Sequence, residues 1–242
     1  MNININISRE FGSSGGVAAT TPLTIFGSAS VIQWVNAGLG VTLNVGKVAT
    51  LADQSSSALD YTAAGSAQPA FTTTDASYNN KSTFTTDGVA NTLTSSLNLP
   101  LASVTPTCLL FIFKPIVCAA TFVPIGPNGA TVSKLINIDS ATTINSLNGS
   151  FVTRAVAAGT WYRVRADYSN NAADIFKVGS SQTTGNVGDT AVTNGRLIGS
   201  RTIQFINAAF REVIYLNRIP TGSEMTAYDN YITAESGGAV QV

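Results

Sequence analysis

Short runs of β-branched and aromatic residues recur along most of the chain, and clusters of Gly, Asn, Asp and Ser separate them. These runs predict strands in VTLNVGKVATLAD, STFTTDG, TLTSSLNL, TCLLFIFKP, ATFVPIG, TVSKLINID, TWYRVRADY, ADIFKVG, GRLIGS and FREVIYLNR. So many strands are more than one flat open sheet readily accommodates. The pattern therefore predicts an all-β fold in which two layers pack together as a sandwich.

The segment WYRVRADY, residues 161–168, shows how such a strand divides its side chains between two faces. Its odd-numbered residues are Trp, Arg, Arg and Asp, and its even-numbered residues are Tyr, Val, Ala and Tyr. Successive side chains of a strand point to opposite faces of the sheet. We therefore predict that the even-numbered side chains face the core and that the polar face is solvated.

The last thirty residues change from a strand pattern to a helical one. A strand over 210–217 is apolar on both faces, and Pro220 stops it. Thr221 and Glu224 have the Thr-x-x-Glu spacing of a capping box, and Gly237 provides an end signal. The apolar stripe of the predicted helix consists of Met225, Tyr228, Tyr231 and Ile232. This pattern predicts a short C-terminal helix that caps the sandwich.

The first thirty residues differ from the rest of the chain. Asn and Ile alternate over residues 2–7, as in a strand, and FGSSGGVAATTP then has the composition of a flexible connection. We predict an N-terminal arm over 1–30 and one sandwich domain over 31–242. Because an extended strand can add to the sheet edge of a neighbouring subunit, the arm predicts assembly with copies of this chain or with other proteins.

Composition excludes several classes of function. The 242 residues carry 13 basic and 13 acidic side chains, and charged residues make up 11% of the chain. This balance argues against a nucleic-acid partner, which a basic surface would attract. The chain has no histidine, so Ser/His and Cys/His nucleophile pairs and the commonest zinc ligand are absent from it.

The most apolar part of the chain is too interrupted to predict a membrane span. CLLFIF is followed by Lys114 and Pro115 and then by IVCAATF, which we interpret as two short core strands. Cys108 and Cys118 flank this break. The N-terminal segment MNININISREFG lacks the features of a secretion signal. We therefore favour free thiols over a disulfide, which stays an open alternative.

Four parts of the chain carry features that occur together in one known family. They are Trp34, the segment VGKVATLADQSSSALDYTAAGSAQPAF with its QP dipeptide, the segment STFTTDGVANTL, and the ending EVIYLNRIPTGSEMTAYDNYI. Together they resemble the concanavalin A-like lectin/glucanase domains of the laminin-G-like type, over roughly residues 31 to 235. The chain departs from the family's pattern at Leu51, Ser56, Thr86 and Asn91, where a Trp, a Gly, a Phe and an Asp are usual.

The resemblance implies a concanavalin A-like jelly-roll β-sandwich with a short C-terminal capping helix and an N-terminal arm. Glucanases that share this fold pair two carboxylates in a Glu-x-Asp-x-(x)-Glu pattern, about 5 Å apart, for a retaining mechanism. The glutamates here are Glu10, Glu212, Glu224 and Glu235, and none belongs to such a motif. The sequence therefore predicts that the protein is not an enzyme, with no catalytic residue and no cofactor.

Turn chemistry accounts for several polar and glycine residues. Asp167-Tyr168-Ser169-Asn170-Asn171 offers oxygen ligands of the kind that calcium prefers, but a calcium site needs about 6–8 oxygens. We therefore predict an ordinary Asx turn and no metal there. Gly88 and Gly195 are predicted to be turn residues with positive φ. For Glu212, we favour a structural acceptor at an edge or loop over a ligand contact, because one carboxylate without a charge partner is weak evidence for a site.

The candidates for stacking on a sugar ring are Trp34, Trp161, Tyr61 and Tyr78. Tyr78, followed by Asn79 and Asn80, has the most loop-like context. In a sandwich, however, most bulky aromatic side chains are buried, and the resemblance places Trp34 in the packing. The sequence therefore assigns no ligand-binding residue.

Two functions of different classes fit these observations. The favoured one is a non-catalytic structural protein of a tailed-phage virion, such as a capsid decoration, head fibre or tail component, with a surface that binds host glycans. It predicts a homo-oligomer that is assembled in the host cytoplasm and lies on the virion surface. The alternative is an extracellular or cell-surface carbohydrate-binding module of a bacterium. The neutral, Ser/Thr-rich composition suits a protein exposed in many copies.

Overall fold

The computed structural model describes residues 20–100, 103–118, 122–129, 134–148, 150–193, 195–201 and 204–242, which fold as an all-β jelly-roll sandwich. This confirms the predicted fold class. The helices are α1 (Pro22–Phe26) and α2 (Gly222–Ser236), and short 3-10 turns lie at Gly65–Ala67 and Ala76–Tyr78. The strands of the N-terminal half are β1 (Val31–Asn36), β2 (Val41–Asn44), β3 (Lys47–Leu51), β4 (Tyr61–Thr62), β5 (Ala70–Asp75), β6 (Lys81–Asp87), β7 (Leu93–Ser95) and β8 (Thr107–Pro115).

The strands that follow are β9 (Phe122–Pro127), β10 (Leu135–Ile138), β11 (Thr143–Leu147), β12 (Phe151–Ala155), β13 (Trp161–Tyr168), β14 (Ile175–Val178), β15 (Ser181–Thr184), β16 (Arg196–Ile198), β17 (Ser200–Arg201), β18 (Gln204–Phe205), β19 (Asn207–Leu216) and β20 (Val240–Gln241).

One antiparallel ladder connects both layers of the sandwich. It runs from β15 through β14, β13 and β8 to β19, which pairs with both β1 and β6. From β6 it continues through β5, β3, β4, β7, β16, β9, β10 and β11 to β12. The ladder therefore folds back on itself, and the main core lies between its two halves.

Strand β8 is apolar on both faces because both of its faces are buried. The side chains that face the main core are Leu109, Phe111 and Phe113. The side chains that face the opposite side are Cys108, Leu110 and Ile112. We call this opposite side of the β8 layer the outer face, and the two helices cover it.

Helix α2 begins and ends where the sequence predicts. The Thr221 hydroxyl accepts a hydrogen bond from the Glu224 backbone N–H at 3.3 Å, and the Glu224 carboxylate accepts one from the Thr221 N–H at 2.7 Å. Gly237, with φ 61°, ends the helix. The apolar side chains that it buries on the outer face are Met225, Tyr228 and Ile232. Each buried side chain of this size contributes about 1.5–3 kcal/mol, so α2 is an integral layer of the fold.

Arg218 connects both helices to the end of β19. Its guanidinium donates to Glu224 Oε2 at 2.9 Å and to the backbone carbonyl of Phe26 at 2.8 Å. The hydrogen bonds from Arg218 lower the pKa of Glu224 to about 2. The Glu224 carboxylate therefore stays charged at mildly acidic pH, and its ion pair with Arg218, which connects the two helices, persists.

The prediction of a solvated polar face on β13 is wrong. All residues of Trp161–Tyr168 are buried. The polar side chains do share one face, but α2 covers it, and Arg163 pairs with Asp229 of α2 at 2.9 Å. Arg165 donates to both carboxylate oxygens of Asp167, at 2.9 and 2.7 Å. Charged side chains can be buried on this strand because each has an ionic partner.

The interpretation of the apolar run as two core strands is also wrong. Strand β8 includes both Lys114 and Pro115, and the residues that follow form a bend. Ile116 and Val117 are 42% and 44% exposed, so they do not belong to a core strand. Proline is tolerated as the last residue of β8 because it does not interrupt the interior of the ladder.

Both cysteines are free, as predicted. Cys108 is buried on the outer face, and this burial raises the pKa of its thiol well above the usual range. Cys108 is therefore a packing residue without thiolate character. Gly88 and Gly195 have φ values of 75° and 81°, which confirms their prediction as turn residues.

The N-terminal arm was predicted over 1–30. Residues 1–19, with the strand predicted over 2–7 and Glu10, lie outside the described residues. The remaining residues of that segment pack on the sandwich, because α1 begins with a capping box at Thr21 and its Phe26 ring lies 5.4 Å from that of Tyr228. In the described part of the chain, no helix has the length and apolar character needed to span a membrane.

Candidate functional site

A cavity of about 700 Å³ opens beside α2, at one edge of the outer face. Its wall combines α2, β1 with the turn that follows it, the β5–β6 hairpin, β19 and the start of α1. The lining residues are Thr20, Thr21, Trp34, Asn36, Gly38, Leu39, Thr73, Thr74, Asn80, Lys81, Ser82, Arg211, Ala227, Asn230, Tyr231, Ala234 and Glu235.

Helix α2 supplies one complete side of this cavity. Its cavity-facing residues recur at spacings of three and four, so they form a stripe next to the one that packs on the core. The residues of this second stripe are Ala227, Asn230, Tyr231, Ala234 and Glu235. Ala227 and Ala234 are small, and they leave room between the helix and the β5–β6 hairpin. The cavity therefore exists because α2 presents two faces with different side-chain volumes.

The opposite wall carries two cations, and both pair with the Glu235 carboxylate of α2. Arg211 pairs with Glu235 at 3.2 Å and donates to the Ser82 carbonyl at 2.8 Å. Lys81 lies 3.8 Å from the second oxygen of Glu235. A Cβ atom on Gly38 would lie 2.7 Å from the Arg211 guanidinium, so the guanidinium packs directly against the backbone of Gly38. The side chains of Lys81 and Glu235 are 33% and 29% exposed, whereas that of Arg211 is 8% exposed.

Glu212 lies beneath the floor of the cavity and is 1% exposed. Its Oε2 accepts hydrogen bonds from Trp34 Nε1 at 2.9 Å, Asn36 Nδ2 at 2.8 Å and the Tyr231 hydroxyl at 3.1 Å. Its Oε1 accepts one from the Tyr228 hydroxyl at 2.8 Å. Trp34, Asn36 and Tyr231 also line the cavity. The buried carboxylate therefore positions three of the cavity's side chains.

Burial governs the ionisation of this network. It raises the pKa of Glu212, and the hydrogen bonds from Asn36, Trp34 and Tyr228 oppose that rise. Burial and the nearby Glu212 carboxylate raise the pKa of Tyr228 and Tyr231 well above the usual range. Both tyrosines therefore keep the protons that they donate to Glu212.

The structure shows that Glu212 is an acceptor, as favoured from the sequence, but not at an edge or loop. Strand β19 lies between β1 and β8 at this point, so Glu212 is in the interior of a layer. Its four donors come from β1 and α2, which are distant in sequence from one another. It anchors α2 to the sheet, and its burial separates it from any ligand.

The four aromatic candidates are all buried. Trp34 and Trp161 are 4% and 3% exposed, and Tyr61 and Tyr78 are fully buried. Trp161 and Tyr78 pack edge to face with ring centroids 4.8 Å apart. Of the four, Trp34 borders the cavity, while the half-buried Tyr231 of α2 is the aromatic residue that sequence reasoning assigned only to the core.

The turn predicted after β13 is present. Asn171 Oδ1 accepts a hydrogen bond from the Ala173 backbone N–H at 3.0 Å, which is an Asx turn. Asp167 is bonded to Arg165, so its carboxylate is not directed toward the turn. In the regions that the structure describes, no three His, Cys, Asp or Glu side chains converge in a way that could hold a metal ion.

Sequence reasoning missed the cavity because its residues come from five separate segments. One usable signal was the second stripe of α2, since Ala227, Asn230, Tyr231 and Ala234 fall on one side of a helix at the predicted position. No local sequence pattern predicts that Lys81 and Arg211 line the cavity. Their position depends on the pairing of β6 with β19, which places them on the same wall.

Comparisons with known proteins identify a fold and no family. No protein-family model matches the sequence, and no curated protein matches it. Among solved structures, the binding domain of Paraclostridial Mosquitocidal Protein 1 is similar with a TM-score of 0.59 and 6% identity, over 84% of this chain and 53% of that one. The ligand-binding domain of botulinum neurotoxin serotype D, solved in complex with N-acetylneuraminic acid, has a TM-score of 0.57 and 9% identity, over 87% and 53%.

Trypanosoma rangeli sialidase in complex with sialic acid is similar with a TM-score of 0.55 and 12% identity, over 90% of this chain and 34% of that one. The chain thus spans about half the length of the toxin structures and a third of the sialidase. At such identities the likeness shows the fold alone, a β-sandwich that also occurs in these binding domains.

Proposed function

We propose that this protein binds carbohydrate without cleaving it, and that the cavity beside α2 holds the glycan. The observation that carries the proposal is the mixed wall of the cavity. Tyr231, Ala227 and Ala234 form an apolar surface, while Asn80 and Asn230 present exposed amides around it. A sugar ring combines apolar C–H faces with hydroxyl groups, and such a wall is complementary to both.

The solved structures support this proposal. The neurotoxin domain and the sialidase that share the fold were solved with a sialic acid, and the cell entry of botulinum neurotoxin type C depends on two ganglioside molecules. Each of these ligands contains sugar. The fold is thus compatible with carbohydrate recognition, which supports the proposal.

The absence of catalysis is part of the proposal. Glycoside hydrolysis by the common mechanisms requires two carboxyl groups that flank the scissile bond. Among the described residues that line the cavity, Glu235 is the carboxylate, and Arg211 and Lys81 already pair with it. Glu212 is buried, and both of its oxygens accept hydrogen bonds from the protein. Both carboxylates are thus engaged by other groups of the protein.

Filling the cavity is expected to weaken glycan binding. In Ala234→Trp, the indole would occupy the space beside α2 and leave the Glu212 network untouched, so we expect at least a tenfold loss of affinity, about 1.4 kcal/mol. Binding of the full chain to an oligosaccharide array identifies the best ligand, and calorimetry then measures its affinity. Chromatography of glycans incubated with the protein detects any cleavage products.

The matched control is Thr233→Trp, since Thr233 is exposed on the same helix and does not line the cavity. We expect it to bind like the unchanged protein. Equal binding by both tryptophan variants would place the glycan elsewhere. Cleavage products that disappear in Glu235→Gln would show that the protein is an enzyme.

The proposal extends to the particle in which the domain works. We infer that the domain is a component of a tailed-phage virion, where its cavity faces host glycans, and that it belongs to the concanavalin A-like type that its sequence resembles. The neutral composition and the Asn/Ile alternation of residues 2–7 support this inference. A bacterial cell-surface carbohydrate-binding module is the alternative, and the cavity suits both.

Removing residues 1–19 tests the virion assignment. A protein that starts at Thr20 retains the capping box of α1 and the whole described core, so we expect an unchanged melting temperature. We also expect the shortened protein to be lost from the oligomer or particle that the full chain joins, because the predicted strand can no longer add to a sheet edge. Full incorporation of the shortened protein would contradict a role of the arm in assembly.

A further inference from the structure

The two cations of the cavity wall already have a carboxylate partner within the protein, which they share. Lys81 and Arg211 are the cations among the described residues that line the cavity, and both pair with Glu235. Arg211 is further fixed by the Ser82 carbonyl and lies 5.7 Å from the centre of the Tyr78 ring. An acidic ligand would therefore find each cation bonded to an internal carboxylate.

From this arrangement we propose that the cavity selects uncharged sugars over sugars that carry a carboxylate. The inference rests on the proposed function and specifies its ligand class. A ligand carboxylate that approached Arg211 or Lys81 would have to displace Glu235 or lie beside it. The first costs an ion pair, and the second places two like charges at short range. A neutral hydroxylated ring meets neither cost.

The same wall offers uncharged hydroxyls suitable partners. Asn80 and Asn230 are exposed amides that both donate and accept, and Thr73 and Thr74 add exposed hydroxyls. The Glu235 carboxylate can still accept from a hydroxyl, since two oxygens have about four acceptor positions. The proposed preference therefore disfavours the acidic sugar with which the toxin domain and the sialidase were solved, although the fold is shared.

Glu235→Gln tests this selectivity directly. The substitution keeps the side-chain volume and one acceptor oxygen, but it releases Lys81 and Arg211 from their carboxylate. We expect the full chain to bind neutral glycans better than matched glycans that bear a terminal sialic acid. In the variant, we expect the ratio of acidic to neutral binding to rise at least tenfold. The gain should vanish at about 1 M salt, where the Debye length is about 3 Å.

Asp139→Asn is the control, because it removes an exposed carboxylate that does not line the cavity and caps neither helix. The ratio should stay unchanged in it. If the unchanged protein binds the sialylated partner of each pair equally or better, the selectivity inference is overturned while carbohydrate binding stands. If no glycan of either kind is bound, the proposed function itself fails, and the inference with it. An unchanged ratio in Glu235→Gln also overturns the inference.

Discussion

Glu212→Ala is expected to lower the free energy of unfolding by about 3–5 kcal/mol, because each donor left without its acceptor costs about 1–3 kcal/mol. The substitution leaves four donors, from Trp34, Asn36, Tyr228 and Tyr231, without the buried acceptor that they share. Two of these donors, the indole N–H and the amide N–H, can only donate, so they cannot rearrange to satisfy each other. Denaturant unfolding followed by tryptophan fluorescence measures the change.

Glu212→Gln separates the loss of charge from the loss of volume. Its amide retains one acceptor oxygen, so we expect a smaller loss of about 1–3 kcal/mol. Glu235→Ala is the matched control, because Glu235 is also a paired glutamate but is 29% exposed, and an exposed pair contributes about 1 kcal/mol or less. A Glu212→Ala protein no less stable than Glu235→Ala would show that the network does not hold α2 to the sheet.

Gly195→Ala is expected to destabilise the protein by about 2–5 kcal/mol, the sum of a backbone cost and a clash. Gly195 has φ 81°, and an added Cβ would lie 2.2 Å from the backbone oxygen of Ser95. That oxygen belongs to β7, which pairs with β16 directly after Gly195. The added Cβ atom therefore clashes with a backbone atom, and a side-chain rotation cannot relieve the clash.

Gly46→Ala is the matched control for this effect. Gly46 has a similar φ of 76°, but a Cβ there meets nothing within 4 Å. Gly46→Ala, in the β2–β3 turn, therefore measures only the free-energy cost of positive φ for a residue with a Cβ, about 1–2 kcal/mol. Thermal or denaturant unfolding of the two variants gives the difference. Equal losses would mean that the β7–β16 contact yields to the extra methyl group.

Local sequence patterns predicted much of the fold. The alternation of apolar and polar residues located most of the long strands, and β8 lies where TCLLFIFKP predicted it. The Thr-x-x-Glu spacing and Gly237 correctly bounded α2, since capping depends on groups within a few residues. Gly195 could be recognised as a turn residue because positive φ is a property of one residue's own backbone.

Long-range packing accounts for the predictions that failed. The odd-numbered side chains of 161–168 were expected in solvent because alternation shows which side chains share a face and not what covers that face. The covering helix contributes Asp229, which lies 66 positions from Arg163. The same limit applies to IVCAATF, whose apolar composition suggested a core strand although Ile116 and Val117 are exposed.

The sequence by itself determined the periodicity of the strands, the caps of α2, the glycine turns and the lack of any histidine chemistry, because each depends on a residue and its near neighbours. The tertiary structure alone decided the role of Glu212 and the existence of the cavity. Trp34 and Glu212 are 178 positions apart, and Lys81, Arg211 and Glu235 come from three elements. Their distances follow from how α2 packs across β1 and β19, and no local pattern encodes that geometry.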